Sequence, residues 1–214
     1  MYCEPSFNVR FKANTKSNSA SGDKNGNYIH KTALIGPNVI LGRNNYIGPY
    51  SIIGFPAEHK TFWGENMRPK FGKVIIGDNN IITSHVTIDA GTENITLVGN
   101  DCWILKGAYV GHDCNIEDNV TLSAHVLLGG HSIVMEGVNM GLGSMCHQRS
   151  IIGSYSMVGM GSVITKKSTI LPFDTVIGKP ARFLKRNIQK LSLFTDCQQL
   201  AEHNRFLQLV SQNH

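Results

Sequence analysis

From Val98 to Val176 every sixth residue is apolar: Val98, Ile104, Val110, Ile116, Leu122, Leu128, Val134, Met140, Cys146, Ile152, Val158, Ile164, Ile170 and Val176. A period of six matches neither an α-helix nor a simple strand. It fits a chain that turns a corner every six residues, which is a parallel β-helix of hexapeptides. Three hexads close one coil of 18 residues, so residues 18 apart stack at about one strand spacing, roughly 4.8 Å. The frame also appears upstream, in Ile29, Ile35, Leu41, Ile47 and Ile53, and again in Ile76, Ile82 and Ile88. Glycine often follows the apolar residue, as at Gly111, Gly129, Gly141 and Gly153. The expectation is that it supplies corner angles that a Cβ forbids. Four places after the apolar residue stand small or β-branched side chains such as Val120, Ser132 and Ser144, which suit the inside of a narrow prism.

The rest of the chain reads as attachments to that prism. Residues 1–28 form a polar lead-in, residues 29–180 the β-helix and residues 181–214 a C-terminal helical segment. Residues 55–75 break the frame with Pro56, Trp63, Pro69 and several cations, and are expected to project as a loop. A shorter slip falls at Ala90–Leu97. Phe183, Leu184, Ile188 and Leu191 recur at helical spacing, as do Leu200, Leu207 and Val210, with Thr195 and Asp196 as caps. These helices are expected to cover the open end of the prism.

Composition narrows the class of function. No run of 18 apolar residues could span a bilayer. Five scattered cysteines without a CxxC pair suit reduced thiols in a cytoplasmic protein. A net charge of +5 favours anionic partners, and the absence of a basic stripe interleaved with aromatics argues against nucleic acid.

Candidate chemistry comes from three histidines. His112, His131 and His147 lie in hexads opened by Val110, Leu128 and Cys146, which are 18 residues apart. All three therefore fall on one side of successive coils, whereas His125 falls on another. Such a row can bind an anion, carry out acid–base work or hold a metal; it is equally what unrelated polar residues at exposed corners would give. Asp113, next to His112, could fix an imidazole tautomer. Gly130, before His131, leaves an N–H open to a developing oxyanion.

The runs Gly111-His112-Asp113-Cys114, Gly129-Gly130-His131 and Cys146-His147-Gln148 resemble the UDP-N-acetylglucosamine O-acyltransferases of lipid A synthesis over about residues 29–170. The resemblance implies a left-handed parallel β-helix and a homotrimer with active sites in clefts between neighbours. It implies His112 as general base, Asp113 orienting it and the Gly130 amide as oxyanion donor. It implies His131, His147 and Gln148 as contacts to the acceptor sugar and nucleotide, Glu58 and Lys60 as a sugar and diphosphate loop, and Met160 as a limit on acyl length. Lys185 and Arg186 would touch phosphate or carrier. No metal or other cofactor is implied, and the acyl donor would be acyl carrier protein. The segment Gly178-Lys179-Pro180-Ala181-Arg182 looks instead like the end of acetyltransferases that use CoA, which keeps CoA open as donor. Two other classes can be built on the same prism. A prism-type carbonic anhydrase needs a histidine pair five residues apart, which this chain lacks, and a non-catalytic scaffold needs no base at all.

Overall fold

The structure is a computed structural model that describes residues 21–58, 71–166, 168 and 170–212. Short parallel strands stack into three sheets that form the faces of a left-handed β-helix, with ten, seven and six strands. Coils pair with the expected offset: Val110 registers with Leu128 and Leu128 with Cys146 on the second sheet, and Ile116 with Val134 on the third. Every apolar residue of the six-residue series is buried, as are Val120, Ser132, Val138 and Ser144 four places on. Each fully buried Ile, Leu or Val contributes roughly 1.5–3 kcal/mol, so the single column of interior residues is the main apolar stabilisation of the prism.

The corners follow a rule that corrects the glycine expectation. In most hexads the third residue after the apolar one has positive φ: Asn44, Asn79, Asp101, Asp113, Asn119, His125, His131, Arg149 and Tyr155 all lie between 55° and 60°. This is the left-handed region, which Asn, Asp and His enter more readily than other side chains with a Cβ. The glycine directly after the apolar residue serves a different need. A Cβ on Gly141 would sit 2.8 Å from Met160 N, and one on Gly153 would sit 2.4 Å from Pro172 N. Those glycines let consecutive coils touch.

Three boundaries differ from the sequence reading. Residues 21–28 are not a loose lead: Ser21–Gly22 pairs antiparallel with Tyr28–Ile29, because Asp23 accepts hydrogen bonds from the Asn25 and Asn27 amides and from Asn27 Nδ2. The break in the frame is shorter than 55–75, since strands Ile52–Phe55 and Lys73–Ile76 reach into it; the expected projecting loop falls largely on residues 59–70, outside the described residues. Residues 182–186 are not helical. Arg182–Arg186 is a strand that doubles back on Asp174–Ile177 and covers the last edge of the first sheet, with the Arg186 guanidinium paired to the Asp174 carboxylate.

The helices follow as Ile188–Leu191 (α1) and Asp196–Gln212 (α2). Thr195 and Gln198 cap α2 reciprocally: the Thr195 N–H donates to Gln198 Oε1 at 2.9 Å and the Gln198 N–H to Thr195 Oγ1 at 3.3 Å. Contrary to expectation, α2 does not close the end of the prism. It lies along the corner between the third and first sheets, where Glu202 accepts from Ser154 Oγ, Arg205 pairs with Glu117 and Phe206 is buried.

Candidate active site at the second-to-third corner

The candidate site forms where strands of the second sheet turn into the third. Strand Tyr109–Val110 runs into the corner of Gly111 to Cys114, and strand Leu127–Leu128 into that of Gly129 to Ser132. Asp113 and His131 both take the left-handed corner position, one coil apart. The His131 N–H donates to the His112 carbonyl at 2.9 Å and ties the two corners together.

Asp113 is the hub. Its Oδ2 lies 2.8 Å from His112 Nδ1 and 3.5 Å from His131 Nε2, and its side chain is fully buried. The two imidazoles sit edge to face with centroids 5.0 Å apart. Burial alone would raise the Asp113 pKa. Hydrogen bonds from Thr92 and His112 and the Asn94 and Thr92 amides outweigh it, holding the carboxyl well below the usual range. The carboxylate therefore fixes Nδ1 of His112 as donor and leaves Nε2 as the basic nitrogen. Burial, followed by the nearby Arg149 cation, lowers the His131 pKa, which favours its neutral form. Gly130 is buried beneath the His112 ring: a Cβ there would fall 2.7 Å from both Cε1 and Nε2. Among the described residues the Gly130 N–H has no acceptor.

Not every predicted residue joins this cluster. His147 is exposed, and its Nδ1 bonds the adjacent Gln148 carbonyl at 2.9 Å. Glu58 is exposed and acts electrostatically on Asp89 and Tyr109. Lys60 lies outside the described residues. Met160, 70% exposed, is on the first-to-second corner, so it is not brought to His112 within one chain. Lys185 and Arg186 sit on the strand that covers the last coil, also away from the cluster. His112, Asp113 and His131 could also gather around a cation, with ligand atoms within 4.8 Å of one another. Within that group Asp113 Oδ2 and His112 Nδ1 are bonded to each other at 2.8 Å.

This corner belongs to a chain whose relatives are consistent. Residues 95–130 match the family model described as bacterial transferase hexapeptide (six repeats). The acyl-[acyl-carrier-protein]–UDP-N-acetylglucosamine O-acyltransferase of Xylella fastidiosa is 36% identical over 143 residues, covering 64% of this chain and 52% of that protein. The enzyme of the same name from Alkalilimnicola ehrlichii is 36% identical over 136 residues, 62% of this chain and 50% of that one. The crystal structure of LpxA, a UDP-N-acetylglucosamine acyltransferase from Bacteroides fragilis, superposes with a TM-score of 0.73 at 27% identity, over 83% of this chain and 69% of that one. The chain carries a bacterial transferase hexapeptide repeat and is similar along it to the LpxA enzymes. It spans about half the length of the curated relatives it matches.

In this chain the structure adds residues that the sequence reading passed over. The slip at 90–97 wraps the hub: Thr92 Oγ1 donates to Asp113 Oδ2 at 2.6 Å, and the Thr92 and Asn94 amides donate to Oδ1 at 2.9 and 2.8 Å. Thr96 Oγ1 accepts the Asp113 N–H at 2.9 Å. The cause is a local insertion: Val98 registers with Ile76, 22 residues back rather than 18. The extra residues bulge at the corner one coil before His112, and that offset was the available signal. A second addition is Asp89, buried with its Oδ2 accepting from Tyr109 Oη at 2.6 Å. Burial pushes its pKa up to about 6, with the Tyr109 bond opposing and Glu58 adding.

Proposed function

We propose that this chain transfers an acyl group from a thioester to a nucleotide-linked amino sugar, with UDP-N-acetylglucosamine as acceptor and acyl carrier protein as donor. The observation that carries this reading is the triad of Thr92, Asp113 and His112 over the Gly130 amide. A general base needs a fixed tautomer and an open face. An oxyanion donor needs an N–H that the fold has not already used. The bond from Asp113 that fixes the His112 tautomer and the Gly130 N–H meet at one corner.

In the proposed reaction, His112 Nε2 takes the proton of the acceptor hydroxyl as its oxygen attacks the thioester carbonyl. The new C–O bond gives a tetrahedral oxyanion, which the Gly130 N–H receives. Collapse breaks the C–S bond, and the departing thiolate takes the proton back from His112. The proton balance closes without a metal or other cofactor. His131, with His147 and Gln148 on the next coil, would contact the acceptor, while Glu58 and Lys60 would contact the sugar and its diphosphate. Met160 would limit acyl length, and Lys185 and Arg186 would meet the donor. Met160 and His112 occupy opposite corners of one prism face, so they can share a substrate only if a second copy packs alongside. That arrangement supports the homotrimer, with sites in the grooves between copies. The relatives are named as acyl-[acyl-carrier-protein]–UDP-N-acetylglucosamine O-acyltransferases, and on this reading the chain works in the cytoplasm, in lipid A synthesis, beside soluble carrier and nucleotide sugar. No described helix is long and apolar enough to cross a membrane.

Purified protein mixed with UDP-N-acetylglucosamine and, separately, hydroxyacyl carrier protein or acetyl-CoA should give acyl-sugar product by mass with the carrier. Replacing His112 with Ala should cost about 10² to 10⁴-fold in turnover. Product with CoA alone would reassign the donor. A His112→Ala protein with unchanged turnover would sink the base assignment, and no product from either donor would favour a non-catalytic scaffold.

A further inference from the structure

Asp113, His131 and Arg149 form a column. They stand 18 residues apart, at the same left-handed corner position with φ of 59°, 59° and 60°. The Arg149 N–H donates to the Gly130 carbonyl at 2.9 Å, which fixes its backbone one coil beyond His131. Its guanidinium does not point away from the column. Nη2 lies 4.0 Å from Oε2 of Glu93, in the bulge whose amides hold Asp113. The side chain thus reaches back past His131 toward the bulge that wraps Asp113, across the mouth of the site.

That ion pair is long, and its members are 54% and 69% exposed. Such pairs add little to stability. Asp113 cannot serve as the counter-charge, because Thr92, Asn94 and His112 already occupy it. A guanidinium whose one ion-pair partner among the described residues is an exposed carboxylate presents a planar fork suited to phosphate oxygens. We infer that Arg149 is a phosphate-binding residue of this site and that Glu93 is its internal stand-in, displaced when a phosphorylated substrate enters. The inference rests on the acyl-transfer reading, which supplies two phosphate sources: the diphosphate of the acceptor nucleotide and the phosphopantetheine of the donor.

Calorimetric titration of the whole chain with UDP and with CoA separates the sources, on wild type, Arg149→Ala, Arg149→Lys and Glu93→Gln. Arg149→Ala should weaken at least one of these ligands by about tenfold or more, and Arg149→Lys by less, since the ammonium keeps charge but loses the fork. Glu93→Gln should tighten the same ligand severalfold, because it removes the competitor. Opposite signs from the two partners are not what a merely structural pair would give. A loss confined to UDP assigns Arg149 to the acceptor, and one confined to CoA assigns it to the donor. Wild-type affinity in Arg149→Ala for both ligands overturns the inference. If turnover on UDP-N-acetylglucosamine is intact at the same time, the acyl-transfer reading survives without it; if wild type neither binds nor turns over, both fall.

Discussion

Gly130 lies so close under the imidazole of His112 that a methyl group on its Cα would overlap Cε1 and Nε2 at 2.7 Å. The glycine is not there for its backbone angle, because the left-handed position of that hexad belongs to His131. Its role is contact. Gly130→Ala should therefore leave the coil intact and push the His112 ring off its place between Asp113 and the substrate groove. The expected result is a thermal midpoint near that of wild type with kcat lowered about 10²-fold, since a displacement of an ångström at a reacting group costs that order. Near wild-type turnover would mean that the ring is not used where it stands.

The two buried carboxyls of the site should leave opposite marks on stability. The folded pKa of Asp113 is depressed, so its contribution is present above the ordinary carboxylate value and is lost as pH falls below it. The folded pKa of Asp89 is raised to about 6, so its contribution is present below the ordinary value and is lost as pH rises through about 6. Asp89→Asn cannot ionise and keeps an oxygen for Tyr109. Its melting temperature relative to wild type should climb between pH 4 and pH 6 and level off above that, with a gain on the order of 5 °C. A gap that stays flat across that range would show that Asp89 ionises normally in the fold.

Much of this molecule was legible in its sequence because hexapeptide order is strictly periodic. The interior column, the 18-residue offset and the side on which His112 and His131 fall all come from counting, and counting also excluded His125. Counting alone does not tell position within a hexad. His112, His131 and His147 stand at the second, third and first places after their apolar residues, so their side chains leave the coil in different directions, and only the first two meet. Asp113 and Arg149 share the place of His131, and a search at that place would have found the column. Thr92 could not be found that way, because its approach to Asp113 depends on a bulge that breaks the frame. Likewise the helical spacing of Phe183 and Leu184 gave way to a strand, since the last edge of the first sheet offered Arg182–Arg186 a ladder of hydrogen bonds.

The two uses of glycine can be separated within one hexad. Gly141 faces the next coil, where a Cβ would stand 2.8 Å from Met160 N and Val158 O. Gly143 has φ of 63° and open space around it, at the place that Asn fills at Asn44, Asn79 and Asn119. Gly141→Ala should destabilise by about 1–3 kcal/mol, the usual cost of overpacking. Gly143→Asn should cost well under 1 kcal/mol, given the tolerance of Asn for this region. Denaturant melts of the two variants check the pair, and equal losses would refute the division of labour.

Helix α2 should detach without unfolding the prism. Its anchor is Phe206, 1% exposed, flanked by Arg205 paired to Glu117 and by Ser154 donating to Glu202. Two of these contacts are with charged groups at a surface corner, where ion pairs add little, whereas truncating a buried Phe typically costs about 3–5 kcal/mol. The prism has its own core, in which Ile116, Val134 and Ile152 are buried by their neighbours in the column, and no residue of α2 belongs to that core. Phe206→Ala should therefore open cleavage sites in α2 to a protease under native conditions, while circular dichroism keeps the β signal and its midpoint close to wild type. Loss of both signals at one temperature would show that the helix is a cooperative part of the solenoid.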